Sequence, residues 1–193
     1  MTQFLTPGAA LVFMKVGIHA QEPLEEIIAR KSQEIADEGF AMWGYGGNTC
    51  HPRTMVQPFA KQNADAGNPI FLCMEEMKSS HWAVPVVAAQ YSADGERWAD
   101  IPDGINVKGS RFALVIASLD EEHFDLPLEQ TRVAVGMNRG RLGSRYVSGR
   151  VDKACLEVAA AAEQNEPEQR LLPISLVARL RDPYAVFLRG SRS

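Results

Sequence analysis

The sequence predicts an α+β fold: a single domain built on a mixed or mainly antiparallel curled sheet with two or three helices, set mostly in the N-terminal third. Three observations predict it. Helical periodicity is strongest before residue 67, whereas strand-like runs fill most of the chain after it. No internal repeat or low-complexity segment divides the chain. At 193 residues with 46% apolar and 23% charged composition, it has the size and make-up of one globular unit with its own core.

Ala9 to Val16 is a short, nearly continuous apolar run, which suits a strand buried on both faces. Pro23 to Glu38 reads as the clearest helix. Leu24, Ile27, Ile28, Lys31 and Ile35 fall on one face, Lys31 covering the stripe with its aliphatic stem. Pro23 suits the first turn, Glu25 and Glu26 complement the positive end of the dipole, and Gly39 suits the stop. Phe40 to Tyr45 is a second strand running into Gly-Tyr-Gly-Gly. Pro58 to Ala66 is a short helix closed by Gly67. Pro58 should bias Gln57 away from helical geometry, which leaves Arg53 to Gln57 unassigned.

Strands follow at Pro69 to Glu75 and Val84 to Tyr91. Asp94-Gly95 turns the chain back into a strand around Arg97 to Ile101, with Trp98 packing onto the sheet. Arg111 to Leu119 and Thr131 to Gly136 are further strands. The acidic stretch Asp120 to Asp125 reads as a solvated loop. Asp152 to Glu163 fits helix by its alanines and strand by its alternation. Leu171 to Leu180 and Tyr184 to Arg189 read as a final hairpin turning at Asp182-Pro183. Glu163 to Gln169 is a polar loop.

The formal net charge is -4, which disfavours bulk adhesion to nucleic acid or anionic lipid. Three widely spaced cysteines, at 50, 73 and 155, form no disulfide framework, so a reducing, cytoplasmic setting is expected. No apolar run approaches the roughly 20 residues a membrane span needs, and no targeting segment is expected.

Two segments concentrate functional groups. In Trp43 to Arg53 (WGYGGNTCHPR), three glycines sit among two aromatics, an amide, a thiol, an imidazole and a guanidinium. Glycines let a ligand approach the backbone, and the N–H groups of such a loop can cradle an anion. Trp43 and Tyr45 share a strand face and could stack on a planar ligand; Asn48 could read a base edge. Neither Gly-x-Gly-x-x-Gly nor the P-loop is present.

In Arg139 to Lys153, five basic residues stand against one acid, Asp152, while the rest of the chain holds 15 basic and 23 acidic residues. Arg139, Arg141, Arg145 and Arg150 suit bidentate contact with phosphate or carboxylate, and Tyr146 adds an aromatic surface. A solvated basic loop is the plainer reading of the same residues.

Together these segments predict a protein that binds a phosphate-bearing planar ligand, a nucleotide or a short single-stranded nucleic acid. Trp43, Tyr45 and Asn48 would hold the ring, and Arg53, Arg139, Arg141, Arg145 and Arg150 the phosphates. That composite requires both segments to lie on the same side of the sheet. An alternative is a hydrolase or transferase using Cys50 as nucleophile or His51 as base on an anionic substrate. His19, His81 and His123 are other histidines the fold could bring to a thiol. A second alternative is an interaction module whose arginine loop meets an acidic partner. No cofactor or metal is predicted, because the His and Cys residues lack paired short spacing. A homodimer is compatible with each reading.

Overall fold

A computed structural model of the chain describes residues 3–78, 83–148, 151–160 and 170–190. The apolar run after Gly8 forms β1 (Ala10–Val16), whose residues are buried on both faces up to Lys15. The chain then enters α1 (Leu24–Glu38). Pro23 is extended at its start, and Gly39, at φ 81°, closes it by donating its N–H to the Ile35 carbonyl. β2 (Ala41–Tyr45) follows directly.

Pro52–Val56 form a single wide π-turn that runs into α2 (Gln57–Asp65). Gln57 is helical, at φ -62° and ψ -47°. Its side-chain amide donates to the carbonyls of Ala93 and Ala185, which ties the helix start to two other segments. Pro58 sits in the first turn, where a missing N–H costs little.

β3 (Ile70–Glu76) pairs parallel with β1. β4 (Gln90–Ser92) and β5 (Ala99–Asp100) are joined by the Asp94-Gly95 turn. Asp94 accepts from the backbone N–H groups of Glu96 and Arg97 and from the Arg97 guanidinium. Trp98 packs against β9 (Leu171–Arg189): the Arg189 guanidinium lies 4.1 Å from its ring centre.

β6 spans Phe112–Pro127, β7 Thr131–Val133 and β8 Lys153–Val158, with the one-turn α3 (Gly143–Tyr146) between β7 and β8. The ambiguous segment is therefore a strand over Lys153–Val158, and its residues 161–163 lie outside the described residues. Among the described residues the strands form one open mixed sheet in the order β2-β6-β9-β3-β1-β8-β7, with β4 and β5 beside β9. The β1–β3 pair is parallel and the other pairs are antiparallel.

Three expectations are corrected here. Val84 to Tyr91 is not one strand: only Gln90 and Tyr91 join β4, and Val87 makes an isolated bridge to Lys108. The Asp182-Pro183 turn is not a hairpin turn. Both flanks pair with β6: Leu114 stands opposite Ala185 and Ile116 opposite Leu180, so residues 181–184 bulge out of one continuous strand. β6 is long enough to offer both flanks the same partner. The acidic stretch is likewise not a loop. Asp120, Glu121 and Asp125 pair with Val177, Leu176 and Pro173, so their exposed carboxylates decorate a strand whose backbone is satisfied by β9. The Glu163 to Gln169 segment lies outside the described residues.

One face of β1 (Ala10, Val12, Met14, Val16) packs with Trp43, Tyr45, Leu72, Leu114, Ala178 and the helices. The other face (Leu11, Phe13) packs with Phe71, Leu126, Leu156 and Ile174. No described helix is long and apolar enough to cross a membrane.

Candidate functional site

The ends of β1 and β2 open into a cavity of about 490 Å³. Its apolar wall comes from Met14, Val16, Ile18, Ile27, Trp43 and Val107. Its cationic wall comes from Arg30 and Lys31 of α1, Lys108 of the loop before β6, and Lys153 at the start of β8. Lys153 stands opposite Met14 in the β1–β8 register, which puts its side chain on the face that carries Met14 and Val16. Lys15 also lies along the cavity, but alternation turns its side chain to the opposite face, beside Glu75 of β3.

The α1 wall is a closed ionic cluster. Arg30 makes a two-pronged contact with the Glu22 carboxylate, and Lys108 approaches the same group at 3.1 Å. Burial works to raise the Glu22 carboxyl, but the hydrogen bonds from Arg30 and Lys108 outweigh it and hold the group below its usual range. Lys31 is only 2% exposed. Its ammonium donates to Glu34 at 3.0 Å and to the Asn106 carbonyl at 2.6 Å. Arg30 donates to that same carbonyl, while Glu34 accepts the Asn106 N–H. Burial pushes Lys31 down to about 8; Glu34 pulls it back up and Arg30 pushes it further down. The stem of Lys31 thus lies on the apolar stripe, but its charged end is buried too.

The second cationic corner is built differently. The Lys153 ammonium meets Asp152 at 2.7 Å and stands over the glycine loop: a Cβ added at Gly47 would lie 3.4 Å from it. Gly47 has φ 87°, a conformation side chains resist. Gly44, within β2, has no room for a side chain because Ser110 Oγ fills that space.

The aromatic pair of the first segment is where its spacing places it. Trp43 and Tyr45 share a face, are 5% and 4% exposed, and both line the cavity. Tyr45 donates its hydroxyl to the Cys50 carbonyl at 2.6 Å, and burial raises its ionisation far above the ordinary phenol range. Asn48 is exposed and lies outside the cavity lining. Cys50 is buried in a left-handed conformation, its sulfur 4.0 Å from that of Cys155. The hydrogen bond with Cys50, followed by burial, raises the Cys155 thiol well above its usual value. His51 packs edge-on against Phe112 and Phe187, and its Nδ1 is buried without a hydrogen-bond partner. Cys73 is fully buried in β3, and burial alone raises its thiol.

Arg53 is exposed and reaches the Asp94 carbonyl and Glu96, on the β4–β5 turn. Arg139, Arg141 and Arg145 are exposed between β7 and β8, outside the cavity lining. Arg150 and His81 lie outside the described residues. The two segments are neighbours nonetheless, since Lys153 overhangs Gly47.

Sequence reasoning missed the α1 wall. Its signal was present: Lys31 and Glu34 both fall on the apolar stripe of α1, where an unpaired charge would be costly. His19, also on the cavity, meets Ser110 Oγ at 3.0 Å. Among the described residues no group of three His, Cys, Asp or Glu side chains is placed to hold a metal. The arrangement suits reversible binding of an anion carrying an apolar or planar body. Compared with protein-family models, characterised proteins and solved structures, the chain matches none.

Proposed function

We propose that this chain binds a small phosphate-bearing ligand with a planar body, of the nucleotide class, in the cavity between β1, β2, α1 and β8. The carrying observation is the pairing of walls: buried Trp43 and aliphatic side chains on one side, and Arg30, Lys31, Lys108 and Lys153 on the other. A cavity of about 490 Å³ has room for a ligand of this size. The positive charge facing the phosphate moves from the exposed arginines to this cavity, where Arg30, Lys31 and Lys108 outnumber their partners Glu22 and Glu34 and Lys153 adds a further cation. A site screened from water strengthens each ionic contact.

The reading that uses Cys50 or His51 as a reacting group draws less support. A thiol reacts as thiolate, and the Cys50 sulfur is buried against a second thiol. The exposed Arg139, Arg141 and Arg145 would serve a longer polyanion only as an extension of the cavity.

Thermal unfolding against a panel of nucleotides, nucleosides and short oligonucleotides tests the reading. A ligand at 100 times its dissociation constant adds about 2.7 kcal/mol, a rise of about 5–10 °C for a chain of this size. The rise should require the phosphate and shrink in Trp43→Ala. A flat panel at millimolar ligand overturns it.

A further inference from the structure

We propose that the phosphate of the ligand sits at the Gly46–Gly47 corner under Lys153, and that the α1 wall serves as the rigid back of the cavity. This rests on the cavity being a ligand site. The cations of the cavity divide into two groups by how fully they are already used. Arg30, Lys31 and Lys108 are committed to Glu22, Glu34 and the Asn106 carbonyl, and these contacts clamp the 105–108 loop to α1. Drawing one of them to a ligand would leave a buried carboxylate short of its partner.

Lys153 is held differently. Its side chain is 8% exposed, but its one acidic partner, Asp152, is 47% exposed and can turn to water at small cost. An ammonium has three donors, and Asp152 occupies one of them.

The backbone supplies the second half of the seat. Among the described residues, the N–H groups of Gly46 and Gly47 have no acceptor, and neither have those of Gly17 and Ile18 on the same cavity. Polar backbone groups beside a cavity are completed by water or by a ligand. Successive free N–H groups next to a fixed ammonium form a site for a tetrahedral oxyanion, which offers several acceptor oxygens at once. Gly47 keeps the approach open, since a side chain there would meet the lysine. The Trp43 ring, four residues before Gly47, then lies beside the body that the phosphate carries.

The experiment is a calorimetric titration of the full chain with inorganic phosphate, then with AMP and adenosine. Lys153→Met keeps the aliphatic stem, and its thermal unfolding reports whether the fold is intact. It should weaken phosphate and AMP binding at least tenfold, which is about 1.4 kcal/mol. Asp152→Asn removes the competing carboxylate and should tighten both, an outcome that a damaged fold cannot mimic. AMP binding of wild-type strength in Lys153→Met, with unchanged binding in Asp152→Asn, overturns the seat and leaves the cavity reading standing. No binding of phosphate, AMP or adenosine to the wild-type chain overturns both.

Discussion

The buried amine of Lys31 makes a quantitative demand on the pH dependence of stability. Its ionisation falls from 10.5 in the unfolded chain to about 8 in the fold, so the unfolded chain binds more protons between those values. Stability from this group is therefore lowest below pH 8 and rises as pH climbs through 8 toward 10.5. The difference amounts to about 3 kcal/mol in all, most of it recovered by pH 10. Tyr45, Cys73 and Cys155 act in the opposite sense: their folded values are raised, so stability is lost as pH passes the ordinary thiol and phenol values. The test is thus a difference. Urea unfolding of wild type and Lys31→Met at pH 7 and pH 10 shares the thiol and phenol contributions. Wild type should gain on the variant by about 2–3 kcal/mol over that interval. Parallel profiles would refute the lowered ionisation assigned to the buried Lys31 amine.

Three further outcomes follow from the packing. Tyr45→Phe removes the donor to the buried Cys50 carbonyl and should cost about 1–3 kcal/mol in urea unfolding; a loss below about 0.5 kcal/mol would show that water or another group satisfies that carbonyl. Gly143→Ala drives a methyl group onto Thr131 Oγ1 and to 3.0 Å from the Leu128 carbonyl, which should cost about 1–3 kcal/mol in the same assay; unchanged stability would contradict the close approach of α3 to β7. Cys73 and Cys155 should resist iodoacetamide at neutral pH in the native chain and react on unfolding, as read by mass spectrometry; labelling of either at the rate of a free thiol would contradict the burial that raises both.

Features set by local chemistry were legible in the sequence. The apolar stripe, Pro23 and Gly39 bound α1 nearly to the residue, and Asp94-Gly95 announced the β4–β5 turn. Features set by partners far along the chain were not. Asp182-Pro183 has turn chemistry, but β6 pairs with both of its flanks and makes it a bulge. The acidic run has loop composition, yet β9 recruits its backbone into the sheet. In the site, Trp43, Tyr45 and the glycines were visible as a dense cluster of functional groups, whereas Lys153 only closed the separate basic segment and was given no contact. Arg30 and Lys108 were not visible, because their role depends on Glu22 and Asn106, which only the fold brings together. Cys50 and Cys155 are 105 residues apart, so no spacing rule could pair them.

The central claim is that an anion with a planar body enters the cavity beside Trp43. Tryptophan fluorescence during AMP titration tests it most directly, with adenosine and Trp43→Phe run alongside. Trp43 is buried on the cavity wall, so a bound ring should change its emission saturably. The account predicts a saturable change with AMP, a much weaker one with adenosine, and none in Trp43→Phe. A response of equal strength with adenosine, or one that survives in Trp43→Phe, would contradict it.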